Sequence, residues 1–301
     1  MVHYDVIIIG GGPIGGTVGK LIANEGYRVL ILEEHNTIGL PVQCAGLVTP
    51  RVFELLKSMT FSKNVREAIL NNIYGAEIYV PSGNCITFRS KELKAIVIDR
   101  TKFDSSIVEH AINAGAELST ATIAISAVRK KPATGVDVTF KYRNKPSVGK
   151  KYVTGKILVG ADGARSKVRT WFKFGVPKQI LTGFGAEFEA TNLSAETVKI
   201  LVGTKLAPSF FSWLIPVPYS DNLRVRIGLC VGGHHKPVYW YFKNLLMHSP
   251  FRKYLRTIQP AHRITGVLPL GLLSKIYTDN VVIVGDAACQ VKPTSGGGIY
   301  T

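Results

Sequence analysis

One short run of glycines limits what this chain can fold into more than any other feature. Gly10-Gly11-Gly12-Pro13-Ile14-Gly15 stands between an apolar, β-branched stretch, Tyr4–Ile9, and a helical segment that reaches about Asn24. The first stretch reads as a buried strand. A second buried strand, Arg28–Leu32, ends at Glu33, so the opening residues spell a βαβ unit of about 30 residues. Gly10 permits the tight turn, Gly12 removes the side chain that would block a pyrophosphate, and Gly15 lets helix and strand approach closely. The helix start offers free N–H groups and a partial positive charge to phosphates. Glu33 lies 23 residues after Gly10, where a carboxylate accepts hydrogen bonds from a ribose diol. An acid at this place fits FAD or NAD better than NADP.

Two further signatures follow. Ile157–Arg165 is a buried strand running into Asp162-Gly163 and then a helix; Asp-Gly by itself is only a turn signal. Asn280–Val284 reads as another buried parallel strand, followed by Gly285-Asp286, Pro293 and the triplet Gly296-Gly297-Gly298. It delivers Asp286 to the carboxyl end of a strand, where open α/β sheets bind ligands. Between these signatures, Glu77–Val80, Cys85–Phe88, Ala95–Ile98, Thr122–Val128, Val136–Tyr142 and Tyr152–Val159 read as strands and Thr101–Ala114 as a helix. From residue 178 to 263 the texture changes to strands at Phe184–Ala190, Lys199–Val202, Phe210–Ile215 and Leu223–Val231. A helix with Val238, Phe242, Leu245 and Leu246 on one face follows them.

Composition narrows the class. Hydrophobic residues make up 46% of the 301, enough for a core, which excludes a disordered basic tail. No apolar run reaches the roughly 20 residues of a membrane-spanning helix, and the chain opens directly on a strand with no leader pattern. Cys44, Cys85, Cys230 and Cys289 are far apart, with no Cys-x-x-Cys pair. Neither a structural zinc site nor a disulfide framework is expected, and a reducing, cytoplasmic setting is. His234-His235 follows two glycines and reads as a turn; no metal is expected. The net charge of +17 is uneven: Asn222–Thr278 has nine Lys or Arg and no acid, and Lys141–Lys156 has six and none. The second island reads as a solvated connection between strands. The first interleaves aromatics with cations over Pro237–Ile258 and points to an anionic partner. No nucleic-acid-binding motif accompanies the charge, so nucleic acid is not the expected partner.

The set Gly10/Gly12/Gly15, Asp162-Gly163 and Gly285-Asp286 resembles the FAD-dependent hydroxylase superfamily, of the para-hydroxybenzoate hydroxylase fold. Pro41-Val42-Gln43-Cys44-Ala45-Gly46, Arg100-Thr101-Lys102-Phe103-Asp104 and Pro293–Ile299 narrow this. They resemble the geranylgeranyl reductase family, particularly archaeal members that saturate the isoprenoid chains of ether phospholipids. The resemblance covers essentially the whole chain. It implies an α/β fold in which a Rossmann-like FAD-binding domain carries an inserted, mainly antiparallel β-sheet substrate domain. Residues 1–177 would form the main part of the FAD-binding domain, 178–263 the substrate domain, and 264–301 the return to the first.

The resemblance also implies residue roles. Gly10, Gly12 and Gly15 would hold the FAD pyrophosphate and Glu33 the adenosine ribose, with Arg100 beside the cofactor on its adenosine side. Asp162 joins the cofactor site, Asp286 would bond the ribityl chain, and Pro293 and Gly296–Gly298 would lie near the flavin ring. Cys44 and Trp213 are the catalytic candidates, Cys44 facing the cavity as a residue that donates, relays or gates. Two departures stand out. Phe211 and Ile215 replace Tyr and Phe of the reductases' Tyr-x-Trp-x-Phe-Pro segment, and Gln43 stands where some relatives carry Arg.

The implied reaction is hydride transfer from flavin N5 to an isolated double bond of a geranylgeranyl chain on a phospholipid with an anionic head group. An external donor (NADPH, a ferredoxin or a deazaflavin) would supply electrons, and the basic domain would rest peripherally on an anionic membrane surface. The competing reading is an FAD-dependent aromatic monooxygenase or halogenase of the same fold; a third is a flavin-binding remnant without turnover. A helix starting near Gly297 is expected to face the flavin. Because relatives continue beyond this point, the expectation is a truncated chain holding most of the adenosine half of the site.

Overall fold

A computed structural model describes residues 3–130, 132, 134–219, 222–233 and 236–301. The His234-His235 turn therefore lies outside the described residues. The chain runs β1 (His3–Ile9), α1 (Pro13–Asn24), β2 (Val29–Leu32), β3 (Leu47–Val48), α2 (Arg51–Ser58), β4 (Ile69–Ile73), β5 (Gly75–Tyr79), β6 (Cys85–Arg89) and β7 (Ala95–Ile98). It continues through α3 (Arg100–Asn113), β8 (Glu117–Ser119), β9 (Thr122–Arg129), β10 (Val136–Tyr142), β11 (Lys150–Gly160), α4 (Lys167–Trp171), β12 (Gln179–Glu189) and β13 (Thr197–Val202). The remaining elements are β14 (Phe211–Pro218), β15 (Leu223–Val231), α5 (Val238–His248), β16 (His262–Leu270), β17 (Tyr277–Thr278) and β18 (Val281–Ile283).

The first sheet has the order β17-β18-β11-β1-β2-β8, with β10 and β9 added as an antiparallel meander on β11. Its centre is parallel and buried on both faces, which is why β1 and β2 are continuous apolar runs rather than alternating ones. Ile7, Ile8, Ile31 and Leu32 are all at most 1% exposed. Register fixes what this sheet can do. Ile9 is level with Leu32 on one side and Gly160 on the other, and Gly160 is level with Ile283. The glycine turn, Glu33, Asp162 and Asp286 therefore all leave the sheet at one carboxyl edge. The helices α1 and α3 pack together on this sheet because α1 has no side chain at the contact. A Cβ at Gly16 would meet Val108 at 2.9 Å, and one at Gly19 would meet Ile31 at 2.8 Å.

The second sheet has the order β16-β12-β15-β14-β13-β5-β6, antiparallel except where β13 runs parallel to β5. It reaches beyond the segment 178–263 at both ends, because β5 and β6 join it from far upstream and β16 continues to Leu270. One face is covered by α5 and the 3-10 turn Pro250–Tyr254, over a core of Phe188, Leu214, Val225, Ile227, Leu229 and Phe251. The opposite face is lined at its centre by Gly183, Gly185, Gly228 and Gly266. A small third sheet, β3-β7-β4, has no counterpart in the sequence-based expectations. Residues 297–301, all that the chain holds from Gly297 onward, carry no helical turn.

Candidate functional site

The glycine turn is built by close approach. Gly10 has φ +105°, and a Cβ on it would collide with the carbonyl of Ala161; a Cβ on Gly15 would collide with the carbonyl of Gly10. Gly12 differs. It is the extended N-cap of α1, and its Cβ position faces open space with nothing within 4 Å. Among the described residues no side chain caps α1 and no acid sits in its first turn, so the partial positive charge of that terminus is available to an anion. Glu33, 9% exposed, is fixed beside this opening. Its Oε2 accepts from Gly11 N–H at 2.8 Å and its Oε1 from His35 N–H at 2.8 Å.

The second turn is more structural than expected. Both carboxylate oxygens of Asp162 are engaged: Oδ1 with Ser166 Oγ at 2.6 Å, Oδ2 with Lys167 N–H at 2.6 Å and Val168 N–H at 3.1 Å. The side chain braces the entry to α4. Arg169, one turn on, is buried and joins two of the three turns. Its Nη2 donates to Ala164 O at 2.8 Å and its Nη1 to Ala287 O at 3.1 Å.

In the third turn, Gly285 packs against Ile14 of α1, and a Cβ on Gly298 would lie 2.8 Å from Asp286 Oδ1. Burial pushes the Asp286 carboxyl up from its ordinary range, and Arg100 opposes this. Arg100 itself opens α3, where Asp99 caps the helix by accepting from Thr101 N–H at 2.9 Å and Lys102 N–H at 3.1 Å. The guanidinium grips Asp104 with two bonds, Nε–Oδ1 at 3.0 Å and Nη2–Oδ2 at 2.8 Å. Burial works against the Arg100 charge, but Asp104 and Cys44 outweigh it and hold the group protonated far above its usual value. Electrostatically, Arg100 interacts with Cys44 and Asp286 as well as with Asp104, and Asp104 with Glu33. The i,i+4 spacing of Arg100 and Asp104 brings the two side chains together on one face of α3.

Cys44 is half-buried, and its Sγ accepts from Gly46 N–H at 3.3 Å. Next to it the second sheet supplies an apolar wall. The Trp213 ring lies directly over Gly228, whose Cβ position is 2.5 Å from the ring. Phe211 meets Trp213 edge-on at 6.3 Å and stacks on Phe210 at 4.2 Å. The Gly296 turn (φ +68°) touches Leu268 and Phe210, and Gly266 lies under the carbonyl of Gln43. Cys230 is buried in this wall, and burial pushes its thiol up to about 12, so it stays protonated at neutral pH. Pro293 and Gly296–Gly298 thus connect the cofactor edge to the wall, through the bond from Lys292 N–H to Gly297 O at 3.0 Å.

Sequence reasoning missed the buried arginines Arg169 and Arg226 and the buried acid Glu187. A signal existed for one of them: Arg226 sits on alternation within an apolar strand that lies inside an acid-free stretch, and such a charge needs a partner from elsewhere.

The arrangement matches known proteins along its length. Residues 3–301 match the FAD binding domain family. Over 99% of the chain, it is 30% identical to the digeranylgeranylglycerophospholipid reductase of Methanocaldococcus jannaschii, covering 73% of that protein. This chain belongs to the geranylgeranyl reductase family. It is a flavin-dependent oxidoreductase whose cofactor is FAD. A second M. jannaschii protein, described only as uncharacterised, is 34% identical over 99% of this chain and 71% of its own length. Among solved structures, a geranylgeranyl bacteriochlorophyll reductase-like protein of Thermoplasma acidophilum shares the fold at a TM-score of 0.84. It is 23% identical, over 99% of this chain and 74% of that one.

The side chains of this reductase fit FAD. The open space at Gly12 and the uncapped start of α1 suit a pyrophosphate, and Glu33 stands where a ribose diol would reach it. Asp286 is a desolvated carboxylate at the sheet edge, suited to accept hydroxyl donors from a ribityl chain. Among the described residues, no cluster of three His, Cys, Asp or Glu side chains is placed to hold a metal ion.

Proposed function

We propose that this reductase saturates isolated double bonds of geranylgeranyl chains carried on ether phospholipids. The observation that carries this reading is the contiguity of the wall made by Phe210, Phe211, Trp213 and Leu268 with Cys44 and Arg100 at the cofactor edge. An isoprenoid has no polar group for a pocket to grip, so a flat aromatic and aliphatic surface must align it. Bound FAD supplies hydride from N5. Trp213, braced on Gly228, and Phe211 would align the isoprenoid chain, and phenylalanine in place of tyrosine at 211 leaves the wall one hydroxyl fewer. Positioning supplies much of the rate because an isolated alkene offers no carbonyl to polarise. The proton for the second carbon comes from Cys44 Sγ–H, and Arg100 stabilises the sulfur left behind.

The same reading accounts for the basic surface. On α5 and the turn after it, Tyr239, Trp240 and Met247 are each about half exposed beside the exposed Lys243, Arg252, Lys253 and Arg256. Cations with aromatics at headgroup level suit an anionic membrane face that presents the substrate. Electrons come from an external donor, NADPH, a ferredoxin or a deazaflavin. A second reading, halogenation or oxygenation, is favoured by one observation: the chondrochloren halogenase shares the fold at a TM-score of 0.78 and 18% identity, over 100% of this chain and 72% of that one. Anaerobic incubation of dithionite-reduced holoprotein with a digeranylgeranyl ether phospholipid separates the two. Mass gains of two hydrogens per double bond support the reductase; no mass gain under these conditions, with an oxygenated or halogenated product only once O2 is admitted, overturns it.

A further inference from the structure

We propose that Arg226, held by Glu187, is the positioning residue that fixes Cys44 and Arg100 against the substrate sheet. The inference rests on the reading of Cys44 as a residue at the reacting face. Arg226 lies on β15, 9% exposed, on the same face as Gly228 and Cys230. Its Nη1 donates to two backbone carbonyls at once, Ala45 O at 3.0 Å and Ile98 O at 3.0 Å. Ala45 follows Cys44, and Ile98 precedes the cap residue Asp99 on which Arg100 depends. One guanidinium thus clamps the chain next to the thiol and next to the start of α3. The loop is closed from the other side by Ile98 N–H donating to Gly46 O at 2.7 Å.

Two independent features agree with the clamp. Gly46 has φ +77°, and a Cβ there would fall 2.6 Å from Arg226 Nη1, so the glycine leaves room for the guanidinium. The opposite end of Arg226 is anchored as well. Its Nε donates to Glu187 Oε2 at 3.2 Å. Glu187, 4% exposed, also accepts from Arg224 Nη1 at 3.2 Å and from Tyr219 OH at 3.3 Å. A guanidinium suits the place because its donors diverge in a rigid plane, toward carbonyls on one side and a carboxylate on the other; a lysine has one point charge to offer. The same strand seats Trp213 over Gly228, two residues along. β15 therefore sets the distance between the apolar wall and the thiol, and misplacement of about 1 Å there costs as much as 100-fold in rate.

The test compares wild type, Arg226→Gln, Arg226→Lys and Glu187→Gln as FAD-loaded proteins. The first readout needs no substrate: the rate of iodoacetamide alkylation of Cys44 relative to Cys85, an exposed cysteine on β6, resolved by peptide mass spectrometry. The second is kcat and KM for lipid saturation. Release of the loop in Arg226→Gln should change the Cys44/Cys85 ratio at least threefold. It should also lower kcat about 10- to 100-fold with KM within about twofold. Arg226→Lys should recover part of both, and Glu187→Gln should shift both in the Gln direction. An unchanged ratio in Arg226→Gln overturns the clamp, as does lost activity with an unchanged ratio. Should Arg226→Gln fail to fold, Arg226→Lys decides by the same two criteria. A wild type that saturates no lipid overturns the proposed function, and the alkylation ratio still decides on the clamp.

Discussion

Asp286 holds a carboxylate where burial disfavours its charge, and this has a measurable sign. Its folded pKa is raised above the unfolded value of about 3.8, so in the interval above that value the folded state binds more protons than the unfolded one. The group's contribution to stability is therefore most favourable at low pH and declines as pH rises through the interval. Asp286→Asn should raise the melting temperature of FAD-free protein at pH 7 and flatten this part of its pH dependence. The same variant should bind FAD about 10- to 100-fold more weakly, the equivalent of one lost charged hydrogen bond of about 1.5–3 kcal/mol. Thermal melts with and without FAD, and flavin titration, check both. The glycines offer a sharper contrast. Gly15→Ala pushes a methyl into the carbonyl of Gly10 and should cost about 1–3 kcal/mol of fold stability. Gly12→Ala meets nothing and should leave stability within about 0.5 kcal/mol of wild type while abolishing tight FAD binding. Urea unfolding beside flavin titration tells them apart.

Among the elements, those that build the cofactor edge were legible because each carries its own local logic. β1 and β2 are unbroken apolar runs, and the turn between β1 and α1 names its geometry through Gly10, Gly12 and Gly15. The partners of β5 and β6 were not legible. Alternation says that a segment is a strand but not which sheet takes it, and β5 pairs with β13, more than a hundred residues away. β3 has two residues and β8 three, too short to show any period. The three buried groups Arg169, Glu187 and Arg226 were hidden for a related reason: their partners are distant in sequence, as with Arg226 and Ala45. Arg100 was found by motif, while the direction of its side chain comes from its pairing with Asp104 one turn ahead. The cap on that helix gives a prediction at this scale. Asp99→Ala removes an acceptor for two N–H groups and should cost about 1 kcal/mol, read as a lower denaturation midpoint.

For the whole molecule, charge and aromatic surface lie on the outer side of the second sheet, on α5, away from the glycine-lined face. Among the described residues no helix is long and apolar enough to cross a membrane. Vesicle co-sedimentation should show stronger binding to anionic than to neutral vesicles at low salt, weakened by added salt. Lys243→Glu should reduce binding by about 1–2 kcal/mol, at about 1 kcal/mol per basic charge near the surface, and Trp240→Ser should reduce it for both vesicle types. Equal binding of wild type to neutral and anionic vesicles would remove the electrostatic part of this account.

The level register of Ile9, Leu32, Gly160 and Ile283 has a consequence for how the molecule comes into being. The turn carrying Asp286 is remote along the polypeptide from the turns carrying Gly10 and Asp162, and it joins them only when β18 has slotted against β11. If these turns hold the flavin, its binding should favour the completed parallel sheet by mass action. Flavin absorbance per mole of purified protein should then rise with the fraction of molecules in which β18 is seated on β11.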